Sequence, residues 1–222
     1  MKTHFVAILA ALTLMSGLSH AGFERGNGGH VVLCDEQVVF LDLFIYQLDN
    51  KKTFHGIHSE YSGINHKFGA LLRPLEKLSP ARAERYRAWA STFFREATFL
   101  ADFDGRPFFT RGYSDVDINT KLRISRWNCK LELMIMQTRE VTGAAYYRIK
   151  GPLWAKLSED QQVIALLHEV LLRDYRRDPA FYYKKPVQDL VVALIGYNQT
   201  TGSEQEKFYN QIRRALNTAP SL

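Results

Sequence analysis

The stretch SEDQQVIALLHEVLLR, from Ser158 to Arg173, predicts the best-defined helix of this chain. Ser158 suits the N-cap, and Gln161 three residues later completes a capping-box arrangement. Apolar side chains then recur at the three- and four-residue spacing of one helical face, at Val163, Ile164, Leu167, Val170 and Leu171. We therefore expect a helix that packs this face against the rest of the fold.

The segments that follow also have helical spacing. Helices are predicted from Val187 to Tyr197 and from Ser203 to about Asn217, so three helices close the chain. The last of them again has an acidic residue, Glu206, three positions after its serine, which is the capping-box spacing.

Another long helix is predicted in the middle of the chain. It opens at Ser79-Pro80, because serine is favoured at the N-cap and proline at the first helical position. Its apolar positions run from Ala83 to Leu100. Three arginines lie between those positions and are expected to face solvent: Arg82, Arg85 and Arg87.

Short apolar or alternating segments predict the strands. They are His30–Cys34, Gln37–Tyr46 as a strand or a strand running into a helix, parts of Lys121–Gln137, and Ala145–Ile149. The polar stretch Asp49–Phe68 is typical of a loop. This order of elements predicts an α+β fold with a mixed or antiparallel sheet in one domain, residues 22–222.

The first 21 residues have the features of a secretory signal. Lys2 and His4 precede an apolar run from Phe5 to Leu14, and Ser19-His20-Ala21 supplies small residues around a cleavage site. A buried N-terminal helix is the alternative, but the shortness of the run and its flanks favour a signal cleaved after Ala21. We therefore expect an exported chain, in the periplasm or outside the cell.

Composition and charge narrow the class of protein further. The chain has 222 residues, of which 46% are apolar and 23% charged, which argues against a disordered or fibrous protein. No apolar run reaches the roughly 18 residues of a spanning helix, so no transmembrane segment is expected in the mature chain. The net charge of +6 falls to +5 without Lys2 of the signal, and we expect a solvated basic surface with no dedicated partner. If the charge has a specific role in an exported chain, anionic envelope components or an envelope protein are expected as partners, and nucleic acid is not.

Two cysteines, Cys34 and Cys129, lie in the predicted mature chain. An even number of cysteines in an oxidising compartment favours a disulfide between them, with two buried thiols as the alternative. Export favours oxidation of both cysteines, so a catalytic thiol is the weakest interpretation. We expect a structural disulfide.

His168-Glu169 matches the first half of the His-Glu-x-x-His motif of zinc proteases. In that motif two histidines four residues apart hold the metal, and the glutamate activates a bound water. Leu172 occupies the position of the second histidine, so the motif is degenerate. In the structural interpretation, His168, Glu169 and Arg173 form a polar cluster that anchors the helix to the strands.

Other histidines offer ligands for a metal alternative. His55 and His58 have ligand-like spacing, and His30 and His66 are also available. Three imidazoles and a water would make a catalytic zinc site. We expect no metal or other cofactor; in the alternative, zinc would be held by His168 with His55 and His58.

Several separated blocks resemble a group of exported bacterial proteins of unknown function. The blocks are GNGG at Gly26–Gly29 with Cys34, Cys129 with KLELM, and then Leu153-Trp154, Leu157-Ser158, Gln161, Leu166–Glu169 and Arg173. The resemblance covers most of the predicted mature chain and implies export, the disulfide and one α+β domain. The similarity to zincin metalloproteases is confined to the His-Glu pair, so no catalytic residue carries over.

Three functions are consistent with these patterns. The first is a disulfide-stapled envelope or secreted protein with a non-catalytic role. The second is a zinc-dependent peptidase or amidase in which His168 is a ligand and Glu169 the base. The third is a binding module for anionic envelope polymers, with a basic surface formed by Arg82, Arg85, Lys184 and Lys185.

Overall fold

The computed structural model describes residues 24–27, 29–35, 37–103, 118–139, 145–175 and 185–217. The predicted signal segment, residues 1–21, lies outside these ranges, as do Gly28 and Lys184. The first half of the described chain contains β1 (Glu24–Asn27), β2 (His30–Cys34), β3 (Gln37–Phe40), α1 (Leu41–Asn50), α2 (Ile64–Leu78), α3 (Pro80–Glu96) and β4 (Ala97–Leu100). The second half contains α4 (Ile118–Arg126), β5 (Lys130–Leu133), β6 (Ile135–Arg139), β7 (Ala145–Lys150), α5 (Gly151–Trp154), α6 (Glu159–Tyr175), α7 (Lys185–Gln199) and α8 (Gly202–Asn217).

The strands form two sheets in an α+β fold, as the sequence predicted. One is a four-stranded mixed sheet of order β1-β6-β7-β4, in which β4 runs parallel to β7; the other is an antiparallel sheet of order β3-β2-β5. The two sheets meet where β1 continues towards β2 and β5 continues into β6. At that junction the Gly29 carbonyl accepts hydrogen bonds from the amides of Met134 and Ile135, both at 3.0 Å.

Helix α6 is the centre of the fold. Every residue from Val163 to Tyr175 is buried, and the helix packs against α2, α3 and α7 and against β3. Ser158 Oγ accepts the Gln161 amide at 3.3 Å, which is half of the predicted capping box. The Gln161 side chain does not complete that box, because its oxygen accepts the amide of Phe40 at the end of β3. A helix buried on all sides carries its polar residues into the core, where each needs a partner.

Several predicted boundaries were wrong. The segment expected as a loop to Phe68 becomes helical at Ile64, and the segment expected as strand from Lys121 begins instead as α4. The mid-chain helix ends at Glu96, and its last apolar positions form β4. Short apolar segments fit both periods, and tertiary packing decides between helix and strand. For Gln37–Tyr46 the structure has the second alternative, a strand running directly into a helix.

The Cys34–Cys129 disulfide is present, which confirms that pairing. It joins the end of β2 to the residue before β5, across 95 positions of sequence. Beneath it lies a small apolar cluster separate from the main core, formed by Val32, Leu41, Ile45, Ile124 and Cys129. The disulfide therefore ties α4 and β5 to the N-terminal hairpin.

Candidate functional site

The imidazole of His168 lies against a carboxylate in the core. His168 Nδ1 is 2.7 Å from Asp42 Oδ2, and the two side chains are only 8% and 1% exposed. The second oxygen of Asp42 accepts a hydrogen bond from Gln188 Nε2 at 3.2 Å, and the ring of Phe40 packs edge-on against the imidazole. Asp42 is in the first turn of α1, where a helix N-terminus favours negative charge. Three elements, α1, α6 and α7, thus converge on one buried pair.

The neighbouring Glu169 binds the junction of the two sheets. Its Oε1 accepts the amide of Gly29 at 2.5 Å, and the whole residue is buried. Its backbone carbonyl accepts Gln137 Nε2 from β6 at 3.3 Å, and the same amide group lies 3.2 Å from the hydroxyl of Tyr147 on β7. Burial, reinforced by the nearby Glu169 carboxylate, raises the pKa of Tyr147. The carboxylate therefore connects α6 to the strands.

Arg173, one turn further along α6, pairs with α3. Its Nη1 lies 2.9 Å from Glu96 Oε2, and its guanidinium stacks 4.8 Å from the centre of the Trp89 ring. The guanidinium of Arg85 also stacks on Trp89, at 5.5 Å. Arginine suits this position because a planar cation can bind a carboxylate and an aromatic face at once.

A second buried carboxylate, Asp174, follows immediately. Its Oδ2 accepts the Tyr86 hydroxyl at 2.7 Å and lies 3.7 Å from Arg82 Nε, while its Oδ1 lies 3.3 Å from Arg85 Nη2. Burial and, after it, the Asp174 charge raise the pKa of Tyr86. Two cations and a hydroxyl therefore compensate one carboxylate of α6 that is 5% exposed.

The prediction that the arginines of α3 face solvent was wrong for Arg82 and only partly right for Arg85. Arg82 is 6% exposed and Arg85 is half-buried, because both reach inward to Asp174; Arg87 is exposed and pairs with Glu76. Spacing alone placed them outside because charged residues are rarely buried without a partner, and the partner lies far away in sequence. Lys184 and the side chain of Lys185 are outside the described residues.

Two histidines of the metal alternative, His55 and His58, lie by the end of α7 that is remote from the Asp42–His168 pair. The backbone amides of His55 and His58 bind Gln199 and Asn198 at the C-terminal end of α7. The Asp42–His168 pair touches α7 at Gln188, which the helical rise places about 15 Å away along the axis. His30 begins β2 opposite Leu133, and His66 stacks on Tyr61 at the surface of α2. Within the described ranges, no group of three His, Cys, Asp or Glu side chains is arranged to hold a metal ion.

Sequence reasoning missed the partners of α6, the helix that carries His168-Glu169 and is called the HE-helix below. Asp42 and Glu96 contact α6 directly, and Gln188 binds Asp42. The role of Asp174, a buried acid on α6 itself, was also missed. A signal existed for Asp42, which is an isolated acid inside the apolar segment from Gln37 to Tyr46. Gln188 and Glu96 each have a charged neighbour in the sequence, and neither is distinguished in this way.

The buried polar side chains around His168 can orient its imidazole and anchor α6, but they expose little surface to a substrate. The imidazole is held by a carboxylate, as a general base would be, yet it and both oxygens of Asp42 are enclosed by α1, α6 and α7. The polar residues of α6 therefore connect this helix to α1, to α3 and to the junction of the two sheets.

The chain matches no protein-family model, no curated protein and no solved structure. No helix in the described ranges is both long enough and apolar enough to cross a membrane.

Proposed function

We propose that this chain is an exported, disulfide-stapled envelope or secreted protein with a non-catalytic role. The HE-helix is then architectural, and function resides on the surface that the core supports. One observation carries this proposal: His168 and Glu169 direct their side chains to Asp42 and Gly29 inside the fold and are almost fully buried. The disulfide and the features of residues 1–21 support export.

The two halves of the proposal have separate tests. For export, the intact mass of the protein from the periplasmic and culture fractions should correspond to a chain that begins at Gly22. A full-length chain confined to the cytosol would contradict this. For the architectural role, the metal content and the unfolding free energy of the wild type and of His168→Ala should be compared, using protein purified without chelators or a histidine tag.

The expected result is a loss of about 3 kcal/mol in the unfolding free energy of His168→Ala, because the variant leaves Asp42 buried beside a cavity. The metal content should be the same in both proteins. His66→Ala is the matched control, since that imidazole is exposed and should contribute little. Near-stoichiometric zinc that disappears in His168→Ala would favour the alternative, a zinc-dependent peptidase or amidase, and overturn the architectural role.

A further inference from the structure

A short exposed segment beside the disulfide has a fixed conformation. The amides of Trp127 and Cys129 both donate to the Ile124 carbonyl, and that of Asn128 donates to Ser125. Asn128 adopts a left-handed backbone with a φ of 55°, which asparagine tolerates better than most residues. The disulfide at Cys129 then fixes the turn to β2. The side chains around this turn are therefore presented by a rigid support.

The turn carries the most exposed large apolar side chain among the described residues. Trp127 is 65% exposed, whereas Trp154 is buried and Trp89 lies between two guanidinium groups. The preceding helix, α4, packs through Ile124 into the small apolar cluster under the disulfide, where Ile124 is 2% exposed. The exposed indole therefore projects from a segment that is itself well packed. Poor packing beneath it does not explain the exposure of its ring.

Three exposed cations are close to this indole in the sequence, two of them on α4 and one at the start of β5. Lys121, Arg126 and Lys130 are all exposed, and none forms an ion pair within the described part of the chain. Many other cations are paired, as in Lys52–Glu204, Lys67–Asp160, Arg73–Glu60 and Lys150–Glu132. We call Lys121, Arg126, Trp127 and Lys130 the cation–tryptophan patch.

The nearby carboxylates in the described ranges do not neutralise the patch. Asp49 pairs with Arg123 at 2.6 Å, and Arg123 is not one of the patch residues. Asp35, in the turn after Cys34, is exposed. Glu132 on β5 binds Lys150. Among the described residues, three cations without an ion pair and one exposed acid leave a positive surface beside the exposed indole.

We propose that the cation–tryptophan patch binds the headgroup surface of an anionic phospholipid bilayer. Basic side chains are attracted to anionic headgroups, and tryptophan favours the interface because one edge of its ring is apolar and the other donates a hydrogen bond. A hydrated soluble polyanion has no apolar layer to take up the ring, so the exposed indole favours a bilayer. The proposal rests on the proposed function only for access to such a membrane.

Vesicle binding by the chain as recovered from cells tests this proposal. Vesicles of phosphatidylcholine with and without phosphatidylglycerol are titrated at low and at physiological salt, and tryptophan fluorescence is followed with brominated lipid as a quencher. Binding should require phosphatidylglycerol and weaken with salt. The triple variant Lys121→Gln/Arg126→Gln/Lys130→Gln should bind about a hundredfold more weakly, at about fivefold for each cation. Trp127→Ser should lose the bromolipid quenching.

Matched controls separate this patch from total charge and from exposed aromatic area. Lys77→Gln/Lys156→Gln/Lys207→Gln removes three exposed cations that are likewise free of ion pairs, and it should bind like the wild type. Tyr61→Ser removes a side chain of similar exposure, 64%, from another surface, and should have no effect.

Equal losses in the two triple variants, or quenching that persists in Trp127→Ser, would overturn the proposal. So would a soluble anionic polymer that binds as tightly as the vesicles and is unaffected by Trp127→Ser. Failure of vesicle binding by a chain that is exported would leave the proposed function intact. Failure of export would contradict the proposed function. It would not change the result of the vesicle experiment, because binding to vesicles is measured independently of export.

Discussion

Gly29 and Glu169 are 140 positions apart in the sequence, yet the amide of one donates a hydrogen bond to the carboxylate of the other. The carbonyl of the same glycine accepts the amides of Met134 and Ile135. One residue without a side chain therefore joins the two sheets to each other and to the central helix.

Replacement of Gly29 by alanine should destabilise the protein. A Cβ at this position would lie 2.7 Å from Cε2 of Phe40 and 3.2 Å from Glu169 Oε1, so the ring and the carboxylate would have to move. The φ of Gly29 is not positive, so the effect comes from space and not from backbone strain. We expect a loss of about 2 kcal/mol in the unfolding free energy, measured by urea denaturation.

Gly69→Ala is the matched control for this substitution. Gly69 is inside α2, and a Cβ there would meet nothing within 4 Å. Alanine is the better helix former, so this variant should gain about 0.5 to 1 kcal/mol. A Gly29→Ala protein as stable as the wild type would show that the junction is not closely packed.

Neutralising Asp174 should destabilise the protein by about 3 kcal/mol, since Asp174→Asn leaves two arginines that are largely buried without their counter-charge. Glu76→Gln breaks the exposed pair with Arg87 and should change the unfolding free energy by no more than about 0.5 kcal/mol. Thermal or chemical denaturation of both variants measures the two changes in unfolding free energy. Equal effects of the two substitutions would mean that Asp174 is compensated far less than its contacts indicate.

Reduction of the disulfide, or its removal in Cys34→Ser/Cys129→Ser, should lower the unfolding free energy by about 2 to 5 kcal/mol. The bond closes a loop across 95 positions, which restricts the unfolded chain strongly. The double variant and the reduced wild type should have the same midpoint of denaturation. If only the variant is destabilised, the effect belongs to the serines and not to the lost cross-link.

Stability should fall as the pH rises above 10. Burial raises the pKa of Tyr175 to about 12, and burial also raises the pKa values of Tyr86 and Tyr147. The native state then keeps protons that the unfolded state loses near pH 10, so the stabilisation present below that pH is lost on the way to pH 12. Each of these tyrosines contributes a slope of about 1.4 kcal/mol per pH unit in that window.

The pH dependence is measured as urea unfolding at a series of pH values. Tyr175→Phe should reduce the slope between pH 10 and 12 by the contribution of one tyrosine. Tyr61→Phe, at a largely exposed position, should leave the slope as it is in the wild type. An unchanged slope in Tyr175→Phe would show that this hydroxyl is not protected from solvent in the folded state.

Local signals predicted the elements that carry strong caps or long periodic patterns. Ser158 and the apolar spacing after it identified α6, and Pro80 identified the start of α3. Prediction failed where a segment is short, as at Ala97–Leu100, which continues the helical spacing of α3 but forms a strand beside β7. Four residues satisfy both periods, so the neighbouring strand decides.

The sequence by itself determined the class of fold, because capping and periodicity act locally, and its even cysteine count favoured the disulfide that the structure contains. It also identified the His-Glu pair as the feature to explain. Only the tertiary structure decided the partners of that pair, Asp42 and Gly29, which come from parts of the chain more than 120 positions away. A buried polar group needs a hydrogen-bond partner, and that partner can come from any part of the chain that the fold brings near. The local sequence around the group does not indicate which part this is.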